Sequence, residues 1–92
     1  MITKKIEKML ESWKTNNPSR IVRWRAGRPG TIIDTLENGK VIVPHKDYPR
    51  PSVGEKCEVL IIEMDKFALA IPYSMAVTRE KVRLEEAAEE GF

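Results

Sequence analysis

The sequence holds one cysteine, Cys57, and one histidine, His45, so neither an intramolecular disulfide nor a cysteine- or histidine-rich zinc site can be assembled within the chain. No serine stands in a Gly-x-Ser-x-Gly context. Gly27 and Gly30 lack the further glycines and the following helix of a dinucleotide or phosphate loop. Asp34, Glu63 and Asp65 are dispersed acids of the kind that usually face solvent rather than forming an acid/base pair. An enzyme, a cofactor and a metal are therefore not expected. Charge of one sign is also missing in bulk, because sixteen basic side chains are nearly cancelled by fourteen acidic ones, for a net charge of +2. No apolar run is long enough to cross a bilayer. Residues 1–13 mix lysine and glutamate with apolar residues, unlike a secretory signal. The setting expected is reducing and cytoplasmic.

What is present is a globular balance, with 41% hydrophobic and 33% charged residues in a chain of 92, too short for two independent cores. One domain over 1–92 is expected. Ile2, Ile6, Met9, Leu10 and Trp13 recur at three- and four-residue steps among lysines and glutamates, which predicts an amphipathic helix within 1–17, stopped by Asn16, Asn17 and Pro18. Thr78 is read as the N-cap of a second helix over 78–91, with Val82, Leu84, Ala87 and Ala88 on its thin apolar side and Gly91 as its stop.

Between the helices, residues 19–72 read as five strands. From Arg20 to Arg25, Val22 and Trp24 alternate with Ile21, Arg23 and Arg25. Residues 31–36 are rich in β-branched side chains, and Asn38-Gly39 before Val41-Ile42-Val43 predicts a hairpin with a type I′ turn. A stiff, partly basic loop follows, carrying Pro44, Pro49 and Pro51. Residues 55–64 form the longest strand, with Cys57, Val59 and Ile61 on one face and Leu60, Ile62 and Met64 on the other, one of which is expected to lie under a helix. Asp65-Lys66 then turns the chain into Phe67 to Ile71. Five short strands hide their edges best by closing, so the expected fold is mainly β: a five-stranded antiparallel barrel of the OB type with an N-terminal and a C-terminal α-helix.

Ile21-Val22-Arg23-Trp24, Gly27-Arg28-Pro29-Gly30-Thr31-Ile32, Asn38-Gly39-Lys40-Val41-Ile42-Val43-Pro44, Val53-Gly54-Glu55-Lys56-Cys57-Glu58-Val59 and Lys66-Phe67-Ala68-Leu69-Ala70 resemble, in order and spacing, the TRAM domain. The resemblance covers the middle of the chain and implies a small OB-like barrel that binds RNA, found on tRNA-modifying enzymes or as small archaeal proteins. This chain departs from the family at Ile42, where an aromatic is common, and in the longer link over 45–52.

The basic residues are the lead to function. Lys14, Arg20, Arg23, Arg25 and Arg28 follow one another without an intervening acid, whereas Glu85, Glu86, Glu89 and Glu90 crowd the other end. Guanidinium groups suit phosphate because their planar donors bind it bidentately. Arg20, Arg23, Arg25 and Arg28, extended by Lys40, Lys46, Tyr48 and Arg50, are the nucleic-acid-binding candidates. Ordinary ion pairing with Glu37, Glu55 or Glu58 is the competing role. Trp24 falls on the face opposite the arginines and is expected in the core. Tyr73 and Phe67 are expected to be structural, and Trp13 to dock the first helix on the barrel.

Two functions compete. The first is a non-enzymatic module for single-stranded or structured RNA, using backbone charge. The second is a protein-interaction subunit that docks through Ile2, Ile6, Met9 and Trp13 or through the C-terminal helix. Duplex DNA binding is less attractive, since balanced charge leaves little excess positive potential.

Overall fold

The structure is a computed structural model describing residues 2–91, and the side chain of Ile2 lies outside the described residues. Helix α1 covers Ile2–Asn16, and strands β1 (Arg20–Arg23), β2 (Arg25–Ala26), β3 (Ile32–Thr35), β4 (Val41–Pro44), β5 (Lys56–Glu63) and β6 (Ala68–Pro72) lead into helix α2 (Tyr73–Glu89). The strands form one curled sheet in the order β1-β5-β6-β4-β3-β2. Its two end strands, β1 and β2, are consecutive in the chain.

Three expectations about the sheet are corrected. Among the described residues there are six strands rather than five, because the first expected strand breaks at Trp24, whose own N–H and C=O bond to Glu55 and Gly54 in the loop before β5. The sheet is mixed rather than antiparallel, since β4 and β6 run parallel with Ile42 opposite Ala68. Its form is a curled half-barrel, short of the closed barrel expected. The Asn38-Gly39 hairpin exists, but its turn is not type I′. Of the turn residues only Gly39 has positive φ, at 89°, Leu36 accepts the Gly39 N–H, and Leu36 N–H bonds to Lys40 C=O, the pattern of a three-residue loop with a glycine bulge.

Inside the curl, Val22, Trp24, Ile32, Ile42, Val59, Ala68 and Ala70 form the core, with Leu36, Cys57 and Ile61 packed against it. Alternation sends Leu60 and Ile71 to the outer face, where they share a groove with Ala76 of α2, so β5 is covered on both sides as expected.

Helix α2 starts at Tyr73, directly after Pro72, not at Thr78, whose hydroxyl donates to the Ser74 carbonyl inside the helix. The earlier start lengthens the inward stripe, with Ala76 and Leu84 buried and Tyr73, Val77, Ala87 and Ala88 half-buried, while Val82 is exposed. Gly91, at φ 89°, follows the helix end. Helix α1 packs on α2. Ile6 is buried, Trp13 lies 6.2 Å from Tyr73 ring to ring, and the Tyr73 hydroxyl donates to the Asn17 carbonyl at 2.8 Å. Trp13 thus docks its helix mainly through α2. Among the described residues, no helix is long and apolar enough to cross a membrane.

Candidate nucleic-acid interface

Burying Val22 and Trp24 in the curl forces Ile21, Arg23 and Arg25 outward, and both arginines are exposed. The β1·β5 register then sets Arg23 directly opposite Lys56, also exposed. Two cations facing each other across a ladder repel and destabilise the pair. Glu58 accepts from the Ser19 hydroxyl at 2.9 Å, Glu55 from the Cys57 thiol at 3.1 Å and Asp34 from the Arg23 main-chain N–H at 3.3 Å, bonds that orient these carboxylates and leave them charged. Among the described residues, no ion pair neutralises Arg20, Arg23, Arg25, Arg28, Lys46 or Arg50.

Thr35 collects two of these arginines. The half-buried Arg20 donates to its carbonyl at 3.5 Å, and Arg25 to its hydroxyl at 2.6 Å. These are neutral acceptors that orient the guanidinium groups without discharging them. Lys40 has a different fate, since its ammonium sits 2.9 Å from both the Glu63 carboxylate and the Met64 carbonyl, which ties its charge to the end of β5.

Three of the remaining candidates converge on a cleft beside the β2–β3 connection, and Arg28 is not among its walls. Arg50 donates to the Gly30 carbonyl, which fastens the proline-bounded loop to the turn carrying Arg28. Arg50, Gly30, Lys46 and Tyr48 line this cleft, of about 300 Å³. The Arg28 guanidinium makes no hydrogen bond among the described residues, while the Arg28 carbonyl accepts from the Thr31 N–H at 2.8 Å and the Thr31 hydroxyl at 2.6 Å.

Tyr48 is half-buried, its ring edge-on to His45 at 5.2 Å, and its hydroxyl receives a bond from Arg79 of α2 at 3.3 Å. Arg79 is a cation that the sequence reading did not include. Its signal was its place four residues before Arg83 on one helical face. Arg83 itself is bound to Glu80 at 2.6 Å, which holds the Glu80 carboxyl below its ordinary range, first through that hydrogen bond and then through charge attraction.

The candidate surface therefore has two parts: the outward arginines of β1 and β2, with Arg23 opposite Lys56, and the cleft of Lys46, Tyr48 and Arg50. Trp24, 2% exposed, is a core residue as expected and offers no surface platform for a base. Phe67 is 41% exposed, against the expectation of a structural role. Among the described residues, no group of three histidine, cysteine, aspartate or glutamate side chains is placed to hold a metal ion. Compared with known proteins, the chain matches no family model, no curated protein and no solved structure.

Proposed function

We propose that this chain is a non-enzymatic RNA-binding module that holds the phosphate backbone with Arg23, Arg25 and Lys56 on the outer face and with Lys46 and Arg50 at the cleft. The observation carrying this reading is the Arg23–Lys56 opposition, with neither side chain in an ion pair among the described residues. A fold gains nothing from stacking like charges across a ladder, whereas a polyanion gains from finding them there. On this reading the curled sheet corresponds to an OB- or TRAM-like barrel, with the segment from Arg20 to Ala26 bending at Trp24 to serve both β5 and β3. The partner is single-stranded or structured RNA in a cytoplasmic setting, bound with modest sequence preference.

The test is fluorescence anisotropy with labelled single-stranded RNA and duplex DNA over a salt series, comparing the native chain with the Arg23→Glu, Arg25→Glu variant after a thermal melt confirms that both fold. RNA should bind more tightly than duplex DNA, log K should fall linearly with log salt, and the variant should flatten that slope by about 1 to 2. Absence of binding at low salt overturns the proposal.

A second reading, a protein-interaction subunit, is favoured by a different observation. Just before β6 the Phe67 carbonyl accepts the Met64 N–H at 2.8 Å, and Phe67, Met64, Val41 and Ile62 are all exposed. Such a patch at one end of a sheet suits an apolar partner surface. The α1 stripe, in contrast, is turned toward α2, with Ile6 buried and Met9 and Trp13 half-buried.

A further inference from the structure

Beneath the proline-bounded loop lies a second cavity, of about 330 Å³. Trp24 and Cys57 line it from the core side, Pro49 and Pro51 from the loop, and it shares His45, Tyr48 and Arg50 with the basic cleft. Its volume is at the lower end of the ~300 to 1,000 Å³ typical of small-molecule sites. The indole nitrogen of Trp24 is buried with no hydrogen-bond acceptor among the described residues. It faces the Cys57 sulfur without completing a bond, and that thiol donates to Glu55 instead. Leaving such a donor unmatched costs about as much as a lost hydrogen bond, so the site is set up to gain from an acceptor.

The geometry points to a nucleobase pocket: the cavity takes the base of one unpaired nucleotide whose phosphate lies on Lys46 and Arg50 in the adjoining cleft. Three features fit that occupant. The walls are largely proline, valine, alanine and methionine side chains and aromatic rings, which suit a flat, weakly solvated ring, with the Glu55 carboxylate as the anionic group among them. The orphan indole N–H meets the carbonyl or ring-nitrogen acceptor that every base carries, once the base displaces the Cys57 side chain from before it. The cavity and the cation-lined cleft share walls, so base and phosphate of one nucleotide enter side by side. The inference rests on the RNA-binding reading and adds to it a contact made by a base rather than by the backbone.

The test compares a short single-stranded RNA with an abasic oligonucleotide of equal length on the native chain, following anisotropy, the Trp24 indole N–H resonance and the rate at which a thiol reagent modifies Cys57. Intact RNA should bind at least about fivefold more tightly than the abasic strand, shift the indole resonance and slow modification of Cys57. Trp24→Phe, which keeps a ring and removes the N–H, should lose about three- to tenfold in RNA affinity while leaving abasic binding unchanged. Equal affinity for both strands with an unmoved indole signal and unprotected Cys57 overturns the pocket and leaves the RNA reading intact. Absence of binding by either strand overturns both.

Discussion

The Asp34 carboxylate accepts the main-chain N–H of Arg23 at 3.3 Å, joining β3 to β1 where no strand ladder connects them. Its other oxygen accepts the N–H of Thr35 at 2.8 Å. One side chain thus stitches the two flanks of the curl at the arginine face, and it does so with a bond to backbone, leaving the Arg23 guanidinium free of it. Asp34→Ala should destabilise the fold by about 1 kcal/mol, with Asp34→Asn milder because one acceptor remains. Urea midpoints of the three proteins check this. Equal midpoints would show that the stitch carries no stability.

Gly39 is a second point where one position sets the local backbone. Its φ of 89° closes the loop between β3 and β4, and a Cβ built there meets nothing within 4 Å. The cost of Gly39→Ala is therefore backbone strain alone, about 1 kcal/mol. A thermal melt measures it, and Gly39→Asn should recover part of the loss because asparagine tolerates the left-handed region better than alanine.

Local periodicity made much of this fold legible. Alternation placed Val22 and Trp24 inward and the arginines outward, and the three-four spacing of α1 located its buried side. What failed was non-local or depended on context. The parallel pairing of β4 with β6 leaves no mark on either strand's own pattern, since both alternate as antiparallel strands do. Pro72 read as a strand end followed by a loop, whereas the chain turns straight into α2 there, proline being well placed at a helix boundary. At the interface, the residue types of the basic loop were visible, but the closure of Arg50 on Gly30 was not. The capture of Lys40 by Glu63, across 23 residues of sequence, was equally invisible.

Lys46 and Lys40 provide an internal control for the charge argument. Lys46 is exposed and lines the cleft, whereas Lys40 is bonded to Glu63 and Met64. Lys46→Ala should weaken RNA binding and flatten the log K against log salt plot by about 1, the signature of one phosphate contact. Lys40→Ala should leave the slope unchanged and lower stability slightly, as expected for a surface pair. An unchanged slope for Lys46→Ala would show that the cleft is not where the backbone lies.

Cys57 offers a pH-dependent reading of the second cavity. Burial pushes its thiol above the ordinary range, the bond to Glu55 adds to the rise, the Trp24 indole N–H opposes it, and the Glu55 charge raises it further. Because the folded chain holds this proton more tightly than the unfolded chain, the associated stability is fully present below the unfolded thiol pKa. It is lost as pH rises through the higher folded value. Reactivity follows the thiolate, so the rate of modification by a thiol reagent should climb at higher pH in the folded protein than in urea. Glu55→Gln should move the folded profile down toward the unfolded one, because the carboxylate no longer attracts the proton. Trp24→Phe should move it up, because the one group favouring the thiolate is gone. Superposed folded and unfolded profiles would mean that the sulfur is solvated and that neither Glu55 nor Trp24 governs it.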